Sequence, residues 1–327
     1  MKIAVTGASG FVGGAVCRAL AADGVTTFAF GRRPAAAPGH VGGAPYRPWD
    51  LVRGPLHDPP HVDAVIHCAG SVTDWGPAAE LFAANLTGTR SALATFPDAR
   101  FVHVSTASVY DPFRPSVMAT EDAAPVRRYM NAYGASKAAA ERAALDRGAV
   151  VLRPHAVYGP GDTTLLPRVL SAVRGPILPA VGTGDQRISL TSITNLVHAC
   201  VLAATVPDLP SRAFNVADAE PVTIDAAFRE ILRERGVRAR PVYLPAALAP
   251  SAGGRRGGGV PAGPAARTAP DHPVRDQPSR GRADARHRGR PDRPRLSPAP
   301  DVLRGRRRLV IVNRGLTAPM RQPPVDA

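Results

Sequence analysis

Near the start of the chain, a run of spaced glycines limits what fold can surround it. Ile3-Ala-Val5 is a short apolar run, Thr6-Gly-Ala-Ser-Gly-Phe-Val-Gly13 follows it, and Ala15–Ala22 has helical character. That order is strand, glycine turn, helix. Gly7 permits the tight turn, Gly10 lets the backbone approach a pyrophosphate, and Gly13 lets the helix close on the strand. The helix N-terminus then offers unpaired N–H groups to the phosphates. The spacing is Gly-x-x-Gly-x-x-Gly rather than Gly-x-Gly-x-x-Gly, so a glycine-rich surface loop is the plainer alternative. Its place at the first strand–helix junction favours a dinucleotide cradle. The expected contacts are Gly7, Ser9, Gly10, Phe11, Val12 and Gly13.

The rest of the chain fits such a cradle. Val25–Phe30 reads as a second strand and ends in Gly31-Arg32-Arg33. An acidic residue there would hold a ribose 2′-hydroxyl, whereas Arg32 can grip a 2′-phosphate bidentately, which leans the reading toward NADP over NAD. A short third strand ends at Trp49-Asp50-Leu51. Asp50 can accept from an adenine amino group or simply cap a turn. Ala64-Val-Ile-His is the next strand, and the small residues Ala69 and Gly70 after it let the backbone pass close to a cofactor. His67 and Cys68 read as buried packing. A helix is predicted over 78–96, with Asn85 inside it as a poor helix former that binds a water or backbone group near the site.

Strand Arg100–Val104 leads into Ser105-Thr-Ala-Ser-Val-Tyr110. Thr106 falls just past the strand's carboxyl end, where open α/β sheets place ligands, with Ser105 and Ser108 as rivals. Tyr133 and Lys137 lie four apart on the next predicted helix, so their side chains share one face. A phenol ionises near pH ~10, and a cation one turn away favours the phenolate, which makes the pair a candidate acid/base. Further elements are a strand at 149–152, helices at 165–173, 195–204 and 223–235, and strands at 186–190 and 213–216. Thr223 is a candidate N-cap. Strands alternating with helices predict an α/β fold with a doubly wound parallel sheet.

Charge excludes one reading. The net charge is +15, but residues 251–327 hold 17 Arg against 6 Asp, and the first 250 residues hold 24 basic against 20 acidic side chains. The basicity belongs to the tail, so no nucleic-acid partner is expected. The tail also has 12 Pro, 10 Gly and no Phe, Trp or Tyr. It reads as disordered, or as the product of a slipped reading frame near 250. Cys17, Cys68 and Cys200 show neither metal spacing nor a disulfide framework, which points to a reducing compartment such as the cytoplasm and to no metal. No apolar run is long enough for a membrane span.

Together, Thr6-Gly-x-x-Gly-x-x-Gly13, Asp50-Leu51, Ser105-Thr106 before Val109-Tyr110, Tyr133-x-x-x-Lys137 and Arg153-Pro-x-x-Val-Tyr-Gly-Pro-Gly161 resemble the extended short-chain dehydrogenase/reductase superfamily, over about residues 1–245. Asp74-Trp-Gly-Pro, His103-Val-Ser-Thr-x-Ser-Val-Tyr and Gly161-Asp-Thr-Thr-Leu-Leu-Pro-Arg look most like its 3β-hydroxysteroid dehydrogenase-like branch. The resemblance implies a Rossmann domain over 1–165 with 186–216 returning to it, and a substrate-binding part at 166–185 and 217–249. It implies Tyr133 as acid/base, Lys137 on the nicotinamide ribose, Thr106 on the substrate oxygen, Asn85 ordering the site, and Pro154 and Val157 lining the nicotinamide pocket. The implied reaction interconverts a secondary alcohol and a ketone on a small-molecule substrate. The alternatives are a nucleotide-sugar epimerase with tightly held NAD and a non-catalytic dinucleotide sensor. Family members often form homodimers. The superfamily's dehydratases carry Asp-Glu directly after the site threonine. Ala107 and Ser108 stand here instead, which speaks against water elimination.

Overall fold

The computed structural model describes residues 1–73, 76–245 and 309–310. Asp74, Trp75 and nearly all of the Arg/Pro/Gly-rich tail lie outside the described residues. In chain order the first half runs β1 (Lys2–Thr6), α1 (Phe11–Ala22), β2 (Thr26–Gly31), β3 (Tyr46–Pro48), β4 (Ala64–His67), α2 (Ala78–Phe82), α3 (Gly88–Thr95), β5 (Arg100–Val104) and α4 (Ala132–Leu145). The second half runs β6 (Val150–Pro154), β7 (Ala156–Tyr158), α5 (Leu165–Ser171), β8 (Ile177–Val181), β9 (Arg187–Ile188), β10 (Leu190–Ser192), α6 (Ile193–Thr205), β11 (Ala213–Asp218), β12 (Val222–Thr223), α7 (Ile224–Glu234) and β13 (Arg240–Leu244).

Seven strands form one parallel sheet in the order β3-β2-β1-β4-β5-β6-β11, and a two-residue strand, β14 (Leu309–Val310), pairs antiparallel with the outer edge of β11. The chain builds outward from β1 to β3, then returns to place β4 against the other side of β1, with Ile3 opposite Ala64. That reversal opens a crevice at the carboxyl ends of β1 and β4, where ligands bind in such sheets. Both faces are covered, so the central strands are apolar throughout rather than alternating. Ile3, Val5, Ile66, Val102 and Leu152 pack with Val16, Leu20, Leu196 and Cys200 of α1 and α6. The alternate residues Ala4, Val65, Phe101 and Val151 pack with Leu93 and Ala144 of α3 and α4. Each such fully buried Val, Leu or Ile contributes about 1.5–3 kcal/mol. Cys17 and Cys200 lie wholly inside this core, and all three cysteines are free thiols.

Two predicted elements differ. The helix expected over 78–96 is interrupted by a π-helical turn at Ala83–Thr87. The extra residue per turn swings Asn85 inward, where its side chain is held from both sides, and that outweighs continuous α-helical bonding. The strand expected at 186–190 is two short strands with different partners: β9 pairs with β12, and β10 with β7. The helical pair α5 and α7 and the parallel pair β8–β13 gather a separate apolar cluster around Val169, Leu178 and Leu232. Among the described residues no helix is long and apolar enough to cross a membrane.

Candidate active site

The glycine turn is as tight as its spacing predicts. Gly7 has φ +69°, and a Cβ there would fall 2.7 Å from the backbone nitrogen of Ala69. A Cβ on Gly13 would lie 2.3 Å from the Gly7 carbonyl oxygen. Side chains at either position would push α1 off β1 or β1 off the loop after β4. Gly10 is the N-cap of α1, with no side-chain cap bond and no acid in the first turn. The positive end of the helix is therefore left to a ligand, and a glycine-floored, uncapped helix start fits a pyrophosphate. Phe11 reaches across to Gly161, 3.6 Å from its Cβ position. Ser9 Oγ and the Tyr46 hydroxyl both crowd Gly31 at the end of β2, beyond which Arg32 is exposed. Asp50 Oδ1 accepts from the Val52 N–H at 3.2 Å, and Asp50 faces Arg53 at 3.5 Å, so it caps its own turn. Leu51 packs beside Gly88.

The second half of the site lies at the ends of β4 and β5. Asn131 caps α4 by accepting from the Gly134 N–H at 3.0 Å. Tyr133, half-buried, is in the first turn, and Gly134 brings that turn against the loop after β5: a Cβ there would lie 2.9 Å from the Ser108 carbonyl oxygen. Lys137, one turn on, is 5% exposed and donates to the Val104 carbonyl at 2.8 Å. Its Nζ lies 3.9 Å from the Cβ position at Gly70. Burial lowers its pKa from 10.5 to about 8, with Glu141 pulling the other way. Thr106, half-buried at the strand end, accepts from the Ser108 N–H at 3.1 Å and donates to its hydroxyl at 3.2 Å. The rival Ser105 is spent on Glu141 at 2.7 Å.

Asn85 is buried within the π-helical turn. It accepts from the Ser71 N–H at 2.8 Å and donates to Ser136 Oγ at 2.9 Å, and that hydroxyl donates in turn to the Tyr133 carbonyl at 2.9 Å. Pro154 ends β6, next to β5 in the sheet, and Val157 lies in β7, which follows it and pairs with β10. The structure thus gathers Asn85, Thr106, Tyr133 and Lys137 around the ends of β4 and β5. Arg32 and Asp50 stand apart, at the β2–β3 end of the sheet.

Three further participants were not legible in the sequence. Ser136 joins Asn85 to the Tyr133 helix. His67 is bonded rather than merely packed. Arg153 is fully buried with Glu141. The signals available for the last were a charged side chain closing the apolar run Val150-Val-Leu and its place at the head of Arg153-Pro-x-x-Val-Tyr-Gly-Pro-Gly161.

A crevice at the sheet's reversal, a bare helix start and a buried lysine one turn along the helix from a tyrosine suit a dinucleotide-dependent oxidoreductase. The NAD dependent epimerase/dehydratase family matches residues 3–217. A 2-alkyl-3-oxoalkanoate reductase of Shewanella oneidensis is 30% identical over 276 residues, 76% of this chain and 70% of that protein. A 3 beta-hydroxysteroid dehydrogenase/Delta 5-->4-isomerase of Mycobacterium tuberculosis is 28% identical, over 72% of this chain and 70% of that one. The solved structure of MoeE5 in complex with UDP-glucose and NAD superposes with a TM-score of 0.62 at 26% identity, covering 75% and 86% of the two chains. The chain belongs to the NAD-dependent epimerase/dehydratase family, the extended short-chain dehydrogenase/reductases, on the side of that family that includes reductases and dehydrogenases.

Proposed function

We propose that this chain interconverts a ketone and a secondary alcohol on a 3-oxo/3β-hydroxy substrate, with Tyr133 as acid/base. When bound, the nicotinamide supplies or accepts the hydride. In the reducing direction, the Tyr133 phenol gives its proton to the substrate oxygen, and the Thr106 hydroxyl holds that oxygen in place. The Lys137 ammonium, one turn along the same helix face, stabilises the phenolate left behind. Asn85 keeps the first turn of α4 and the loop after β4 in register. Gly7, Ser9, Gly10, Phe11, Val12 and Gly13 would hold the pyrophosphate, Ala69 and Gly70 would flank the dinucleotide, Asp50 and Leu51 would meet the adenine, and Pro154 and Val157 would line the nicotinamide pocket. The separate cluster around Val169, Leu178 and Leu232 supports reading 166–185 and 217–249 as the substrate-binding part.

The observation that carries this reading is Lys137. Burying an ammonium is costly, and this one sits 2.8 Å from the end of β5 and beside Gly70, where a ribose would pass. The reductase and hydroxysteroid dehydrogenase relatives support the substrate class. Loss of NADPH or NADH absorbance with a 2-alkyl-3-oxoalkanoate or a 3-oxosteroid tests it. Tyr133→Phe is expected to cut turnover about a hundredfold or more, and wild-type turnover in that variant would end the assignment. The likeness to a UDP-glucose complex favours one second reading, a nucleotide-sugar epimerase, which would interconvert UDP-sugars with no net absorbance change. Exposed Arg32 supports NADP over NAD. NADPH should raise the melting temperature more than NADH, and Arg32→Asp should reverse that order. An intact NADPH preference in the variant would refute the assignment.

A further inference from the structure

We propose that His67 is a positioning residue for this reaction, the middle link of a hydrogen-bonded column that ties the phosphate-binding turn to Asn85 and, through it, to the helix of Tyr133 and Lys137. The inference rests on the reading that those two residues carry the chemistry. His67 ends β4 and is fully buried. Its Nδ1 meets Thr6 Oγ1 at 2.7 Å, and Thr6 immediately precedes Gly7. Its Nε2 meets Thr89 Oγ1 at 3.0 Å. Thr89 donates to the Asn85 carbonyl at 2.6 Å, and Asn85 continues to Ser71, Ser136 and the Tyr133 carbonyl.

The ring's tautomer follows from proton counting. A hydroxyl has one proton, and that of Thr89 goes to Asn85. Nε2 must therefore carry the hydrogen and donate to Thr89, and Nδ1 must accept the Thr6 proton. Every link then has one direction, running from Thr6 through His67 and Thr89 to the Asn85 carbonyl in the π-helical turn. His103 stacks on the ring at 5.4 Å and 22°, which fixes its plane. Burial, and then the Lys137 charge, push the pKa of His67 down to about 3. The ring stays neutral at any working pH and acts as a fixed brace. An apolar side chain of equal size would fill the space, yet the Thr6 hydroxyl would lose its acceptor and the Thr89 hydroxyl its donor, so the Thr89 bond to the Asn85 carbonyl would no longer be tied to β4.

The test uses the full chain with NADPH as the binding probe and a 2-alkyl-3-oxoalkanoate as the turnover probe. Compared are His67→Leu, His67→Gln (whose amide can donate near the place of Nε2), the near-isosteric Thr89→Val, and Tyr133→Phe. Misplacement of the reacting groups predicts about a tenfold to hundredfold loss of kcat in His67→Leu and Thr89→Val, with NADPH affinity nearly unchanged and partial rescue in His67→Gln. Hydrogen exchange should show NADPH protecting 82–90 and 132–138 in the wild type and in His67→Gln, but not in His67→Leu or Thr89→Val. If Tyr133→Phe is inactive while His67→Leu and Thr89→Val keep wild-type kcat and protection, the column alone is overturned. If Tyr133→Phe turns over normally, the catalytic reading falls and the column's role falls with it. Failure of Thr89→Val to fold would make the column a stability device and would also overturn the coupling.

Discussion

Lys137 shows what a functional side chain costs its fold. Its native pKa of about 8 lies below the ordinary 10.5. Between those values the unfolded chain holds a proton that the native state has released, so this group's contribution to stability rises with pH across that window, while below pH 8 its full penalty stands. Lys137→Met should therefore stabilise the protein by about 1–3 kcal/mol at pH 7, after discounting the lost bond to Val104. The gain should shrink as pH climbs from 8 to 10, and turnover should be lost throughout. Melting curves at several pH values, beside a turnover assay, check both halves. The Tyr133/Lys137 pair was legible because four-residue spacing survives any error in helix ends. The bonding of His67 was not, because its partners Thr6 and Thr89 are 61 and 22 residues distant and hydroxyls advertise nothing in sequence.

The segment from Ala78 to Thr95 reads as one helix because no proline interrupts it and its alanines, leucines and Glu80 favour helix, which outweighs the weak formers Asn85 and Gly88. What divides it is Asn85, whose partners are Ser71 in the loop after β4 and Ser136 on α4. Sequence could mark that asparagine as out of place but not the π turn that accommodates it. Capping was easier: Thr223 accepts from the Ala226 N–H at 3.1 Å, as its position at the helix start predicts. On α4, Gly134 packs closely: a Cβ there would come within 2.9 Å of the Ser108 carbonyl oxygen and 3.4 Å of the Tyr129 ring. Gly134→Ala should cost about 1–3 kcal/mol by overpacking, despite alanine's better helix propensity. Because it would lift the first turn of α4 from the loop bearing Thr106, kcat should fall more than NADPH affinity. Chemical denaturation and steady-state kinetics together measure this.

Across the molecule, the doubly wound parallel sheet was foreseeable from alternating strands and helices, since crossovers of this kind permit few other arrangements. The β8–β13 pair was not, because its strands lie about sixty residues apart and neither is strongly patterned. Arg153 binds distant parts together. From the end of β6 it meets both Glu141 carboxylate oxygens, the Tyr110 hydroxyl at 3.0 Å and the carbonyls of Glu121 and Ala124 at 2.7 and 3.1 Å. Tyr110 in turn donates to Asn215 on β11 at 2.7 Å. Arg153→Met would leave Glu141 buried and unpaired, at about 3–5 kcal/mol. Adding Glu141→Leu should restore much of the melting temperature, and a double variant no better than the single would refute the pairing.

The placement of Cys17 and Cys200 has a practical consequence. Both thiols are sealed in the core, and burial holds that of Cys17 up to about 12. Little thiolate is exposed to an alkylating reagent while the sheet and its covering helices stay together. Label uptake at these two sites, read by mass, would thus time the opening of the dinucleotide-binding half itself. Slower uptake with NADPH present would reveal cofactor binding before any substrate is known.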